Sequence, residues 1–306
     1  MDIKSRFRGA LLGLACGDAV GTTVEFSPRG TFAPVTDMVG GGPFNLQAGQ
    51  WTDDTSMALC LATSLVEKKG FDAHDQMRHY LDWMQHGYLS STGHCFDIGN
   101  TTAAALRRFQ QSGDPFSGST DPRAAGNGSI MRLAPVPMFY YPRLEDVVHY
   151  SAESSRTTHG SVECVDACRV LGAMLYTTFC GLTKDEILFG EPFPEAFEIE
   201  LTPKIRTITD GSYRTKSEDE ISGSGYVVNS LEAALWCFWQ TDNYRDAILC
   251  AVNLGDDADT TAAICGQIAG AYYGIEGIPA EWLKRLTLYD EIVQLADQLY
   301  NQAKQA

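Results

Sequence analysis

Two short stretches of the sequence place adjacent acidic residues directly before an apolar helical run. They read "WTDDTSMALC" (residues 51–60) and "LGDDADTTAA" (residues 254–263). Neighbouring carboxylates repel each other and lose hydration if they are buried, so a cation is expected between them. Carboxylates and a Thr oxygen are ligands that Mg²⁺ and Mn²⁺ prefer. Both motifs therefore indicate a site for hard divalent cations.

Capping of the two following helices is a simpler explanation of the same residues. Thr and Asp side chains accept hydrogen bonds from first-turn N–H groups and suit the positive end of the helix dipole. One capping residue is enough for that purpose, whereas each motif supplies two or three. Zinc is disfavoured because no His or Cys with ligand-like spacing flanks the motifs. The metal-ligand candidates are Thr52, Asp53, Asp54, Asp257, Asp259 and Thr260.

Two glycine-rich segments suggest a second chemistry, the binding of phosphate. "GNGSIMR" (residues 126–132) offers small residues, exposed backbone N–H groups and Ser129. "SGSGYV" (residues 222–227) offers the same and adds Tyr226, whose ring could stack on a base or a ribose. Either segment alone is also typical of an ordinary turn. Together with acidic metal ligands, the two segments indicate a substrate that carries both a sugar and phosphates.

Composition limits the classes of protein to consider. With 306 residues, 44% of them hydrophobic, the chain can bury a substantial core, and its net charge of -16 argues against nucleic acid as the main partner. Nine cysteines without a C-x-x-C motif indicate reduced thiols in a cytoplasmic protein. The apolar stretch at residues 10–16 is short for a signal peptide, and no run approaches the ~18 apolar residues of a membrane span.

Helical periodicity dominates the chain, and sustained period-two alternation is missing. The segment 189–220 is polar and irregular, which favours a long surface excursion. A first amphipathic helix is expected at residues 5–16. The other predicted helices cover residues 55–69, 73–85, 101–109, 144–155, 162–180, 229–239, 244–254, 260–273, 280–288 and 289–304. The prediction is a single all-α domain over residues 1–306, with both acidic motifs at helix starts.

Seven sequence blocks, in the same order, resemble those of the ADP-ribosylglycohydrolases, the family that includes dinitrogenase reductase-activating glycohydrolase and the ADP-ribosylarginine hydrolases. Such an ordered set is far more specific than any single block. The blocks are "GALLGLACGDAVGTTVEF" (9–26), "GQWTDDTSMAL" (49–59), "FDIGNTT" (96–102), "GNGSIMRLAP" (126–135), "THG" (158–160), "GYVVNSLEAALW" (225–236) and "GDDADTTAAICGQIAGAYYG" (255–274).

The resemblance implies a compact all-α fold with two divalent cations, Mg²⁺ or Mn²⁺, at the base of a cleft. The six ligand candidates match the family's two ligand motifs, whereas Asp256 is not counted as a ligand. Glu25 matches an acidic residue beside the substrate, and Asp97 matches an aspartate implicated in catalysis in the arginine-type branch. The substrate-binding candidates are Asn100, Gly126, Asn127, Gly128, Ser129, His159, Gly225 and Tyr226. From the local sequence alone, Asp97 could instead cap a helix and His159 could be a core histidine.

The expected activity is hydrolysis of the bond between the distal ribose and a modified arginine of a protein substrate, with release of ADP-ribose. Asp97 is the candidate general acid/base. Two alternatives come from other classes of protein. One is a protein that neutralises an ADP-ribosylating toxin by contact as well as by catalysis, although no obvious extension to act as a plug is expected. The other is a non-catalytic structural protein like the related lens crystallins, against which the retained ligand motifs argue.

Overall fold

The computed structural model describes residues 1–191, 193 and 197–304, and it confirms an all-α fold. In these residues, β-structure is limited to three isolated bridges. No helix among them combines the length and the apolar character needed to cross a bilayer. The helices are α1 (Ile3–Gly21), α2 (Asp53–Lys68), α3 (Ala73–His86), α4 (Asn100–Ser112), α5 (Pro135–Tyr140), α6 (Leu144–Arg156), α7 (Val162–Phe179), α8 (Lys184–Phe189), α9 (Pro203–Thr209), α10 (Val227–Gln240), α11 (Tyr244–Asn253), α12 (Ala258–Tyr273), α13 (Ala280–Arg285) and α14 (Tyr289–Ala303).

The antiparallel helices α1 and α12 form the centre of the molecule, with their backbones in direct contact. A Cβ atom built on Gly13 would lie only 2.3 Å from the carbonyl oxygen of Gly266, and the reverse substitution would be equally crowded. No side chain fits between backbones at this distance, so only glycine permits the contact. The α1 glycines recur at every fourth position and therefore share one helix face: Gly9, Gly13, Gly17 and Gly21.

This contact also sets which ends of the helices meet. A Cβ atom on Gly21, at the end of α1, would lie 2.4 Å from the Cα atom of Asp259, at the start of α12. The start of α2 joins the same place, because the backbone N–H and the hydroxyl of Thr52 both donate to Asp18 of α1, each at 2.9 Å. The two acidic motifs, distant in sequence, are thereby brought to one end of the central helix pair.

The central helices are buried on all sides. Every residue of 9–21 in α1, of 53–65 in α2 and of 258–271 in α12 is buried. A helix that is hydrophobic around its whole circumference belongs in the core of a large domain. Helices α3, α4, α6 and α14 are polar on one face and enclose the centre. The expectation that the first helix is amphipathic was therefore wrong, and α1 also extends beyond residue 16.

Three short helices were not predicted, namely α5, α8 and α9. Helices α5 and α9 begin with Pro135 and Pro203, and a proline in the first turn is compatible with a helix. The segment 189–220 was expected to be an irregular surface excursion. Residues 192 and 194–196 lie outside the described residues, but the described part contains α9 and buries Ile205, Ile208 and Tyr213 in the core. Because polar residues separate these three buried side chains, the sequence pattern did not indicate that the segment contributes to the core.

Replacing Gly13 with Ala should destabilise the protein, although Ala favours an isolated helix by about 1 kcal/mol over Gly. The added Cβ meets backbone that cannot rotate away, and overpacking of this kind costs about 1–3 kcal/mol. Urea unfolding should compare Gly13→Ala with Gly70→Ala, where an added Cβ would meet no heavy atom within 4 Å. Equal stability of the two variants would contradict a backbone contact between α1 and α12.

Candidate active site

A cavity of about 1030 Å³ lies beside the starts of α2 and α12. Most of the predicted site residues line it: Glu25, Asp53, Asp97, Asn100, Gly126, Asn127, Gly128, His159, Gly225, Asp257 and Thr260. The other predicted residues do not line it: Thr52, Asp54, Ser129, Tyr226 and Asp259. The sequence motifs therefore converge on one cavity, with part of the acidic set below its surface.

The acidic residues form two groups of three that share one member. Oxygen atoms of Asp18, Asp54 and Asp259 lie within 4.8 Å of one another, and so do those of Glu25, Asp257 and Asp259. Six-coordinate hard cations take carboxylate oxygens gathered in this way. Because Asp259 belongs to both groups, the two candidate positions for a cation are adjacent.

Several of these oxygens have no hydrogen-bond partner among the described residues. Buried oxygens of Glu25, Asp54 and Asp259 accept no hydrogen bond. Within the described part of the chain, no Lys, Arg or His nitrogen lies within 4.0 Å of any acidic residue of the two groups. Buried charges are normally paired or bound to metal. These carboxylate oxygens therefore suit divalent cations as ligands. No cationic side chain among the described residues occupies the place of such a cation.

The electrostatic cost of this arrangement appears in the acidity of the carboxyl groups. Burial, together with the negative charges of neighbouring acids, raises the pKa of Asp53, Asp54 and Asp259 well above the usual range. Burial and then the charge of Asp97 raise the pKa of Glu25 to about 10. Burial likewise raises the pKa of Asp97 to about 7. Without cations, the cluster would keep protons at neutral pH.

Asp18 is a functional residue that sequence reasoning missed. Its carboxylate accepts hydrogen bonds from the backbone N–H groups of Thr52 (2.9 Å) and Thr55 (3.0 Å) and from both hydroxyls. Those N–H groups belong to the first turn of α2, so Asp18 caps that helix from α1. Burial raises the pKa of Asp18 to about 6, and these hydrogen bonds limit the rise. A lone acid in the apolar run of α1 was the available signal.

The local capping explanation fails at both acidic motifs. Thr52 and Asp257 occupy the N-cap positions of α2 and α12, and neither side chain accepts a hydrogen bond from its own first turn. Elsewhere Asp72 of α3 and Ser161 of α7 do make such bonds. Asp97 does not cap α4 either, since the N-cap there is Gly99 without a side-chain bond. The acids at these helix starts are thus available for other ligands.

The two glycine-rich segments pair with each other and with the acidic cluster. The Asn127 N–H donates to the Gly225 carbonyl (3.1 Å), and the Val227 N–H donates to the Ala125 carbonyl (3.0 Å). The Asn127 side-chain amide donates to the Asp257 carboxylate at 2.7 Å. These bonds hold one wall of the cavity against the start of α12, so a ligand could contact both the loops and the acids.

The loop at residues 126–129 leaves backbone donors free. Within the described residues, the N–H groups of Gly128 and Ser129 donate to no protein acceptor. Arg132 donates to the Gly128 carbonyl at 2.9 Å, and because the peptide is planar and trans, the Ser129 N–H points the opposite way. The Ser129 hydroxyl instead accepts hydrogen bonds from Ser155 (2.9 Å) and Cys168 (3.4 Å) on the interior side of the loop. The backbone, rather than this hydroxyl, is suited to bind an anion.

His159 lines the cavity beside the same loop. Its Nδ1 lies 2.9 Å from the Thr158 hydroxyl oxygen, which also accepts a hydrogen bond from Arg132 at 2.7 Å. Since Nδ1 is the acceptor left for the Thr158 hydroxyl hydrogen, the imidazole carries its proton on Nε2. Burial and then the charge of Arg132 lower the pKa of His159 to about 3. His159 is therefore a neutral hydrogen-bond donor, and Arg132 and Thr158, which sequence reasoning missed, fix that state.

Tyr226 occupies a different environment from the one its motif suggested. Its hydroxyl donates to Glu163 at 2.6 Å and accepts from Lys204 at 2.7 Å, whose ammonium lies 5.0 Å from the ring centroid. Gln267 of α12, another residue that sequence reasoning missed, donates to the carbonyls of Ile130 and Met131, both at 2.9 Å. Tyr226 and Gln267 thus support the loops from outside the cavity.

Removal of divalent cations should destabilise the protein more at about pH 8 than at about pH 5.5. The pKa values of Asp18 and Asp97 are raised to about 6 and about 7, so a metal-free cluster is favoured protonated and loses stability as pH rises through these values. The melting temperature should be measured before and after EDTA dialysis at both pH values. Restoring Mg²⁺ or Mn²⁺ is the control. A shift that is absent, or larger at low pH, would contradict the cation site.

In Thr158→Val, the imidazole proton of His159 should no longer be restricted to Nε2. In Thr158→Ser, the proton should remain on Nε2. Valine removes the hydroxyl that donates to Nδ1 and leaves an N–H of Arg132 unpaired, at a cost of about 1–3 kcal/mol. Nitrogen-15 NMR of histidine-labelled protein distinguishes a protonated Nε2 from a protonated Nδ1. A charged or Nδ1-protonated His159 in the unmodified protein near neutral pH would rule out this hydrogen-bond chain.

The chain is similar to known proteins over nearly its whole length. A family model described as ADP-ribosylglycohydrolase matches residues 1–306. The chain is 48% identical over 300 residues to ADP-ribosylarginine hydrolase Tri1 of Pseudomonas putida (strain GB-1), covering 98% of this chain and 79% of that protein. It is 32% identical over 293 residues to ADP-ribosyl-[dinitrogen reductase] glycohydrolase of Rhodospirillum rubrum, covering 94% and 92%. A solved structure entitled ADP-ribosylglycohydrolase-related protein complex aligns with a TM-score of 0.87 and 42% identity over 99% of each chain. The motifs, the fold and these similarities agree that the chain belongs to the ADP-ribosylglycohydrolase family.

Proposed function

We propose that this protein is a hydrolase that removes ADP-ribose from ADP-ribosylated arginine side chains of proteins and releases free ADP-ribose. The observation that carries the proposal is a group of buried carboxylates without counter-ions beside a cavity walled by two glycine-rich loops. A relative 48% identical to this chain is named an ADP-ribosylarginine hydrolase, which supports the choice of arginine. A purely structural role would not explain carboxylates that lack any partner.

Two divalent cations, Mg²⁺ or Mn²⁺, are part of the proposal. The protein ligands would be Thr52, Asp53, Asp54, Asp257, Asp259 and Thr260. Orphaned oxygens on Asp54 and Asp259 support this set, and the two overlapping acidic groups favour adjacent cations. When bound, such cations supply Lewis-acid chemistry to oxygen atoms of the substrate and of water.

The loop wall of the cavity would bind the diphosphate. The free N–H groups of Gly128 and Ser129 and the Nε2–H of His159 are neutral donors, and neutral donors suit an anion next to a carboxylate cluster. Asn127 spans from this wall to Asp257, so the phosphates and the ribose would be bound by connected elements. Binding energy from the remote diphosphate would then fix the geometry at the reacting ribose.

Glu25 and Asp97 would handle the protons and the developing charge. Both line the cavity, and burial raises the pKa of Asp97 to about 7. Cleavage of a bond at the anomeric carbon passes through an oxocarbenium-like state that nearby carboxylates stabilise. Asp97 would donate a proton to the departing guanidine nitrogen or accept one from the attacking water. A planar guanidinium also pairs with a carboxylate through two hydrogen bonds.

The decisive measurement compares arginine-linked with serine-linked ADP-ribosyl peptides at equal concentration. We expect faster release of ADP-ribose from the arginine-linked peptide. Asp97→Ala should lose turnover by about 100-fold or more, the scale of general acid/base catalysis, while still binding ADP-ribose. The matched control is Asp242→Ala, an exposed aspartate that does not line the cavity. If the serine linkage is cleaved faster, or if Asp97→Ala keeps full activity, the proposed linkage or the proposed role is wrong.

A further inference from the structure

Three non-glycine residues that line the cavity, Phe26, Asp97 and Asp256, adopt a left-handed backbone, and the segments of Phe26 and Asp256 are hydrogen-bonded to each other. Phe26 has φ 61° and Asp256 has φ 56°. The Phe26 N–H donates to the Asp256 carbonyl (2.7 Å), and the Asp256 N–H donates to the Ser27 carbonyl (2.9 Å). Left-handed conformations are unfavourable for a residue such as Phe and persist where surrounding bonds enforce them, often at functional sites. Neither residue belongs to the predicted ligand set.

The side chains of this pair are exposed at the mouth of the cavity. Phe26 is 63% exposed, although a large aromatic ring is normally buried. Phe44, which also lines the cavity, forms an edge-to-face pair with Phe26, with ring centroids 6.4 Å apart and an interplanar angle of 74°. Asp256 is exposed, and in the described chain no cation lies within 4.0 Å of its carboxylate. The pair therefore presents a largely exposed aromatic ring beside an exposed carboxylate.

We propose that Phe26 and Asp256 form a guanidinium-binding rim that holds the arginine side chain of the modified protein. A guanidinium is planar and cationic, so it stacks on an aromatic face and pairs with a carboxylate at the same time. A hydroxyl-bearing side chain would gain little from either group, so the rim would favour arginine over serine. This inference rests on the proposed arginine linkage.

The location of the rim fits a leaving group better than any other part of the substrate. Glu25 directly precedes Phe26, and Asp257 directly follows Asp256; both are acids of the candidate reacting centre. The diphosphate wall, at Gly128, belongs to another segment of the lining. A side chain attached to a ribose held by these acids would therefore lie next to Phe26 and Asp256.

The test uses N-acetyl-L-arginine amide as the probe and the full chain loaded with ADP-ribose. Binding is followed by NMR titration at low ionic strength, with N-acetyl-L-lysine amide as a cation that lacks the planar group. The variants are Phe26→Ala, Phe26→Leu and Asp256→Asn; asparagine tolerates the left-handed backbone, so the last should fold normally. Phe116→Ala is the matched control, because Phe116 is 43% exposed but does not line the cavity.

The expected result is that both Phe26 variants weaken binding of the arginine probe by about 3- to 30-fold, the range of a cation–π contact. Asp256→Asn should also weaken it, and the control should not. The affinity for ADP-ribose should change by less than about twofold, because the rim lies outside the diphosphate wall. A structural role would instead lower both affinities together.

Three results would overturn the rim. They are equal binding of the arginine and lysine probes, variants that bind the arginine probe like the control, and a parallel loss of ADP-ribose affinity. Hydrolysis of arginine-linked peptide by the unmodified protein is measured separately. If that hydrolysis fails while selective arginine binding persists, the proposed function falls and the rim stands.

Discussion

The backbone contact between α1 and α12 is the constraint on which the site depends. Because glycine faces glycine along this pair, the helices approach closely enough for the end of α1 to reach the start of α12. Asp18 then lies where it can cap α2, a helix to which it is not joined locally. Capping by Asp18 relieves the acids at the start of α2 of that role. The glycines of α1, which have no side chains, thus allow the close helix packing that determines which carboxylates can serve as ligands.

The charge distribution around the cavity is divided between two kinds of group. On one side, buried acids lack any protein cation, so their electrostatic repulsion is relieved only by protons or by added cations. On the other side, the wall that we propose for the diphosphate consists of backbone N–H groups and a neutral imidazole. Arg132, beside this wall, is fully buried and acts through Thr158 and the Gly128 carbonyl rather than by touching the cavity. This separation prevents the protein from neutralising its own acidic cluster.

The local sequence was enough to predict the all-α class. It was also enough to identify both acidic motifs and the first glycine-rich loop as candidate parts of the site. These features depend on composition, periodicity and short-range spacing, which survive without knowledge of tertiary contacts. The roles of Asp18, Arg132 and Thr158 could not be predicted because each depends on at least one partner distant in the sequence. The hydrogen bonds of the Tyr226 hydroxyl to Glu163 and Lys204 could not be predicted for the same reason, and its stacking on a base or ribose stays a prediction. The four-residue spacing of the glycines in α1 is a sequence pattern that indicates a close helix contact on that face.

The pairing of Gly9 with Gly270 joins segments near opposite ends of the described chain, and this has a consequence for folding. Contacts of such long sequence separation carry a high loop-closure entropy, and they form late relative to local helices. During synthesis, α1 and α2 leave the ribosome long before α12 exists. Until that last partner arrives, the glycine face of α1 lacks the backbone it packs against, and Asp257 and Asp259 are missing from the acidic groups. The acidic pocket therefore depends on a late step of folding, and a nascent polypeptide would lack the proposed cation site until α12 has packed against α1.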